Sequence, residues 1–388
     1  MQRTSHLTQE RCSRMKCFKW LLLMLLLVGL PLIGVLLAGH PLAPYLAFPP
    51  TPQSLPSYPV SWVWFGMLAA LILAALAPFL YRMVTYSIHP NSSPSIAGSP
   101  TPRVFPWWGW LGFCLLLPSW ILAWTRFPSF HLLQSHTFTP LWLSYILLVN
   151  GLTWERTCHC WIVNQPGKFL TLFPLSAGFW WFFEYLNRFV HTWHYVGTQE
   201  FDAATYFWFA TISFSTVLPA VAATYEWLQS FPRLAAPFHK WRKVPIPQQA
   251  SFGWALMLSG FLTLIGMGLW PDILYPMLWI SPLFILLGFQ QIQGHTPLLA
   301  SLRAGDWRPI TFAALAGLLC GFFWEMWNFY SLAHWEYTIP YVHGMQVFEM
   351  PLLGYAGYLS FGLECLVLIQ FATSLDLPAL KNQEAPFF

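Results

Sequence analysis

Two glutamates lie within apolar stretches with an asparagine three positions further on, Glu184 with Asn187 and Glu325 with Asn328. On a helix that spacing puts the carboxyl and the amide on one face. An ionisable group inside a bilayer costs about 3 kcal/mol on insertion scales, so such a carboxyl is by default a candidate general acid, base or proton relay. The plainer alternative is interhelical hydrogen bonding that holds helices together. Each pair is followed by Trp-x-Tyr, Trp193 with Tyr195 and Trp335 with Tyr337. Such rings suit a membrane boundary, and equally a lid folded over the carboxyls. Glu184, Glu325 and the unmatched Glu349 are therefore the candidate catalytic acids, and Asn187, Asn328, Trp193, Tyr195, Trp335 and Tyr337 the candidate substrate contacts. Glu364 lies fifteen residues past Glu349, roughly 22 Å deeper on a helix. With Glu226 it belongs to the opposite half of the membrane.

Six histidines, His131, His136, His191, His194, His334 and His343, fall on the same side as the Trp-x-Tyr motifs. Only His191-x-x-His194 has a suggestive spacing, and Cys158-His159-Cys160 has no complementary pair, so no metal is expected. No phosphate-cradling glycine loop and no haem-like histidine pairing occurs, so no cofactor is expected either. The basic run Arg233 to Lys243 reads as a loop on anionic lipid, and nothing points to nucleic acid.

The elements that position these groups follow from composition. With 56% hydrophobic and 8% charged residues in 388, the chain has too little polar surface to face water all round. Apolar runs near the roughly 20 residues that cross a bilayer occur at 20–38, 60–80, 107–124, 138–152, 169–187, 203–228, 252–269, 274–289, 310–328 and 347–371. Their continuity excludes a β-barrel. The expected fold is all-α, a polytopic integral membrane protein of about ten transmembrane helices.

With a cytoplasmic N-terminus, sixteen of the 18 Lys and Arg fall inside and only Arg126 and Arg188 outside. The positive-inside rule then puts both termini in the cytoplasm, and the bias suits a bacterial inner membrane. Leu37-Ala38-Gly39 offers a signal-cleavage alternative, though an uncleaved anchor fits the long first run better. None of the seven cysteines falls in an external loop, so disulfides are not expected.

An internal repeat recurs at about 140 residues. PLWLS at Pro140 to Ser144 matches MLWIS at Met277 to Ser281, and the Phe182 run FFEYLNRFVHTWHY matches the Phe323 run FWEMWNFYSLAHWEY with one insertion. Gly109-Trp110 and Gly253-Trp254 open the two copies, whereas Pro219 with Glu226 and Pro351 with Glu364 match only loosely. Four spans per copy make these parallel repeats. The expected divisions are residues 1–104 (two helices and a Ser/Pro-rich loop), 105–232 and 250–372 (two tandem four-helix repeats), and 373–388 (a cytoplasmic tail).

The run His334-Trp335-Glu336-Tyr337, then Gly344, then Met350-Pro351-Leu352 resembles the Trp-x-Phe, Gly and Pro-Leu/Ile-Glu-Glu succession of the membrane lycopene β-cyclases and, more loosely, of the membrane carotenoid hydratases. It departs after the proline, where Leu353-Gly354 replaces the acidic pair and the nearest acid is Glu349. The resemblance implies carboxyl-driven protonation of a polyene or isoprenoid, with Glu325 and Glu349 as acids and Trp335 and Tyr337 beside a carbocation. The sequence therefore points first to a membrane enzyme acting on a lipid-soluble small molecule. A transporter or channel using the same glutamates along an axial path, and an assembly subunit of a membrane complex, stay open beside it. Expected partners are membrane lipids.

Overall fold

The computed structural model describes residues 21–50, 58–88, 104–198 and 201–373. The basic N-terminal stretch, most of the Ser/Pro-rich loop and the tail lie outside these residues, as do the charges they contribute to the topology.

The chain begins with α1 (Leu21–Leu37), α2 (Trp62–Ile88), α3 (Trp107–Trp124), α4 (Phe138–Thr157) and α5 (Pro166–Val190). Then come α6 (Ala203–Phe214), α7 (Val217–Gln229), α8 (Ala250–Leu269), α9 (Ser281–Ile292), α10 (Arg308–Phe329) and α11 (Tyr355–Thr373). Two short antiparallel ribbons interrupt the helices, β1 (Trp193–Val196) with β2 (His334–Tyr337) and β3 (Gln346–Val347) with β4 (Met350–Pro351). Among the described residues six helical segments are long and apolar enough to cross a membrane, and a seventh if a bent pair ending in α9 counts as one span. The protein is an α-helical integral membrane protein.

Helices α4 and α5 fall outside that set because part of their surface is polar and turned inward: Ser144, Asn150, Thr153, Ser176, Glu184 and Asn187 are all buried. The bent pair, Pro271–Trp279 with Ser281–Ile292, turns by 48°. Prolines at 276 and 282 remove the backbone donors a straight helix would need there.

Burial grades from the rim to the centre. The apolar window of α2 has 0% of its residues buried, against 61% for α10. The centre is aromatic: Trp142 packs on Trp324 and Trp327 at 5.0 and 5.1 Å, and Phe183 stacks on Trp279 at 5.1 Å. Lipid supplies no hydrophobic drive between helices, so close packing must hold them. Helices α3 and α4 approach where Gly109 meets Gly151, and α8 and α9 where Gly253 meets Gly288. A Cβ at Gly109 would stand 3.3 Å from the Cα of Gly151, and one at Gly253 2.8 Å from the carbonyl of Gly288.

Two sequence expectations change. The last helix starts at Tyr355 rather than near 347, because residues 346–351 pair as the β3–β4 hairpin, with Phe348 turning through φ 56°. Pro351 thus lies on a strand and not inside a span. The Trp-x-Tyr segments after α5 and α10, expected as a membrane boundary or a lid, are the paired strands β1 and β2, which tie the two halves of the chain together.

Candidate functional site

Glu184 projects from α5 into the interior, where its Oε1 accepts three hydrogen bonds. The Trp180 indole one turn earlier donates at 3.0 Å, and the Trp193 indole and Tyr195 hydroxyl of β1 donate at 3.1 and 2.6 Å. Glu325 on α10 is fully buried. Its Oε1 accepts from the Tyr337 hydroxyl of β2 at 2.7 Å and from the Tyr358 hydroxyl of α11. The Trp335 indole donates to the Tyr337 oxygen at 2.9 Å, so it supports the carboxyl at one remove. Glu325 Oε2 is buried without a hydrogen-bond partner, and among the described residues neither carboxyl is ion-paired to Lys or Arg.

One difference between the two clusters is a substitution of space. Four residues before the glutamate stands Trp180 in the first cluster and Gly321 in the second. A Cβ at Gly321 would lie 2.3 Å from the Tyr358 ring, so only glycine there admits the tyrosine of α11.

These aromatic groups wall a common chamber. Trp180, Trp193 and Tyr195 contribute from the Glu184 cluster, and Trp335, Tyr337 and Tyr358 from the Glu325 cluster. Phe214, Trp279 and Trp324 line the rest of its inner part. The chamber is a cavity of about 150 Å³ with an open mouth, below the roughly 300–1,000 Å³ of pockets that enclose a whole drug-sized ligand, so a longer molecule would seat only part of its length there and extend through the mouth. The carboxyls are not part of the wall. Each stands one aromatic layer behind it, so a molecule in the chamber would meet phenol and indole groups first.

The asparagines do different work from the one expected of them. Asn187 donates to the Trp193 carbonyl at 2.7 Å and accepts from the Thr192 backbone N–H at 2.9 Å. Asn328 donates to the Trp335 carbonyl at 2.7 Å and accepts from its N–H at 2.8 Å. Each amide therefore holds the first residues of a strand against the helix that carries the glutamate, and neither lines the chamber. The strands then register so that Trp193 faces Tyr337 and Tyr195 faces Trp335, with His194 opposite Glu336.

Glu349 lies at the tip of the β3–β4 hairpin, away from the chamber wall. Partial burial, then the nearby Glu336, holds its carboxyl above the usual range, with His334 opposing. Glu336 is flanked by His194 and His334, each with Nε2 at 3.4 Å from one of its oxygens. Among the described residues no group of three or more His, Cys, Asp or Glu is placed to hold a metal ion. His191 ends α5 in the left-handed region, where burial lowers its pKa. In Cys158-His159-Cys160, His159 Nδ1 is 2.8 Å from Glu226, and burial pushes the Cys160 thiol up to about 11. A thiol in that state is a poor ligand. Arg126 and Arg188 bind carbonyls: Arg126 reaches that of Tyr330 at 2.7 Å and Arg188 that of Tyr45 at 3.0 Å.

Sequence reading missed Trp180 and Tyr358. Trp180 was readable, because an i−4 neighbour shares the face of Glu184. Tyr358 was not, since 33 residues and a hairpin separate it from Glu325. The same holds for Trp279 and Trp324, which reach the chamber from separate segments.

Comparison with protein-family models, curated proteins and solved structures finds no match.

Proposed function

We propose that the protein is an integral membrane enzyme that moves a proton to or from a lipid-soluble, isoprenoid- or carotenoid-like molecule held in the aromatic chamber. The observation that carries this reading is that the hydroxyls of Tyr195, Tyr337 and Tyr358 donate to Glu184 or Glu325 while their rings wall one cavity. In a concerted relay a phenol oxygen takes a proton from the bound molecule as its own O–H proton passes to the carboxylate. The reverse transfer delivers a proton, and indole faces stabilise positive charge that develops on the substrate. The likeness to the membrane lycopene β-cyclases agrees with proton chemistry on a polyene.

The same reading covers the architecture: ten spans, with two N-terminal helices and two tandem parallel repeats, both termini cytoplasmic, in a bacterial inner membrane. The repeats are supported by paired features. Helix pairs α3–α4 and α8–α9 close on glycines, and an asparagine clamps each strand. The ribbon register sets the Trp of one copy against the Tyr of the other. A transporter would use the same carboxyls along an axial path, but a mainly aromatic wall with no Asp, Glu, Lys or Arg favours a lipid-soluble occupant over a hydrated ion. One observation favours an assembly role beside the enzyme: none of the apolar window of α2 is buried, leaving it to lipid or another membrane protein.

The test is expression of wild type and Glu325→Gln in a host supplied with polyprenoid and carotenoid precursors, followed by mass spectrometry of extracted lipid. A product made by wild type and absent with Glu325→Gln is expected. No conversion by correctly inserted wild type overturns the reading.

A further inference from the structure

The chamber is not uniform along its length. Its inner part is buried and aromatic, with Trp193, Phe214 and Trp324 all buried. Its outer part lies where α4, α6 and the strand ends meet, and there the wall turns polar: Ser135, His136, Thr139, Thr198, Ser213 and His334. Thr139 Oγ1 and Ser213 Oγ stand 3.2 Å apart across the α4–α6 junction. The His136 ring lies flat on Phe209 with centroids 3.8 Å apart, which fixes its plane, and at its edge Nε2 meets Ser135 Oγ at 3.4 Å, leaving Nδ1 for a further hydrogen bond. No Lys, Arg, Asp or Glu contributes to the wall anywhere.

A half-buried mouth without fixed charge compensates an ionic headgroup poorly, because even partial desolvation of a phosphate or carboxylate calls for cations or several charge-assisted hydrogen bonds. Burial also lowers the pKa of His136, so its ring is neutral at neutral pH and supplies no positive charge. A pure hydrocarbon is less well matched than a molecule with a polar end: the rim groups pair among themselves, Thr139 with Ser213 and His136 with Ser135, but each hydroxyl pair keeps a further donor and lone pairs that a hydrocarbon would cover without using. Six polar groups at one end and stacked rings at the other define an occupant that is itself two-ended.

Resting on the reading of the chamber as a substrate site, we infer that the occupant is an uncharged amphiphile: an unsaturated lipid body lodged among Trp193, Trp279 and Trp324, with a hydroxyl or carbonyl head at His136, Thr139 and Ser213. This places the reacting unsaturation beside Tyr195, Tyr337 and Tyr358 and leaves the head at the mouth. Headless hydrocarbons and prenyl diphosphates are both excluded as preferred occupants.

The test uses full-length protein in neutral-lipid nanodiscs and three probes with one polyene body: retinol, its deoxy hydrocarbon axerophtene, and retinyl phosphate. Binding is read as saturable quenching of tryptophan fluorescence by energy transfer to the polyene. Retinol is expected to bind at least about fivefold tighter than either of the others, the scale of one net hydrogen bond. Thr139→Val with Ser213→Ala should remove roughly that factor for retinol and leave axerophtene unchanged. His136→Phe, which keeps the stack on Phe209, should do the same, so a folding failure in one variant does not decide the outcome. Equal binding of retinol and axerophtene, or tighter binding of retinyl phosphate, overturns the inference. Because binding is read without turnover, a protein that prefers retinol yet converts no lipid overturns the enzyme reading and supports the pocket assignment.

Discussion

Tyr195 faces Trp335 across the β1–β2 ribbon, yet the two serve different carboxyls. The Tyr195 hydroxyl donates to Glu184, and the Trp335 indole supports Glu325 through Tyr337. One small ribbon therefore carries donors to both buried acids, and any change in its register disturbs both at once.

Removing either acid should separate chemistry from binding. Glu325→Gln and Glu184→Gln keep side-chain volume but cannot take up a proton. Turnover is expected to fall by about a hundredfold or more, the usual contribution of a general acid or base. Probe binding, measured by tryptophan quenching, should change less than the rate does, since neither carboxyl touches the chamber. Equal losses of binding and rate would show that these side chains only hold the wall in shape.

Gly321→Ala should be more damaging than a single methyl suggests. The added Cβ would meet the Tyr358 ring at 2.3 Å and push its hydroxyl off Glu325. Overpacking of this kind costs about 1–3 kcal/mol. A lower thermal midpoint in detergent together with a rate loss is expected. Full activity in this variant would mean that Tyr358 is dispensable to the relay.

Asn328→Ala should act on stability first. It leaves the partly buried backbone N–H and C=O of Trp335 without their partner, which costs up to about 1–3 kcal/mol for each group that water does not reach. The thermal midpoint should drop, and the affinity of surviving folded protein for retinol should stay near that of wild type. A selective loss of affinity with no loss of stability would return Asn328 to the list of direct substrate contacts.

The hairpin tip gives a pH signature. Burial and Glu336 raise the Glu349 pKa above the 4.5 of a free glutamate. The native state therefore binds this proton more tightly than the unfolded chain does. The associated stability is intact below 4.5 and lost as pH rises through the raised value. Glu349→Gln should raise the thermal midpoint at pH about 7.5 and leave it unchanged at pH about 4. Identical differences at the two pH values would rule out titration of Glu349 as the cause.

The sequence by itself determined the membrane-helical class, because apolar run length and charge scarcity are local properties that the bilayer reads directly. It also identified the recurring Glu-x-x-Asn and Trp-x-Tyr spacing, since residues three apart on a helix share a face whatever surrounds them. Only the tertiary structure decided what those residues face. Asn187 and Asn328 turned out to clamp strands, because their partners are backbone groups that no side-chain pattern announces. Tyr358 reached Glu325 because glycine at 321 left room for it, and the two Trp-x-Tyr segments became one ribbon because packing brought the ends of α5 and α10 together. Hydrogen bonds act over about 3 Å, and contacts between residues tens of positions apart form only when the whole helix bundle has closed.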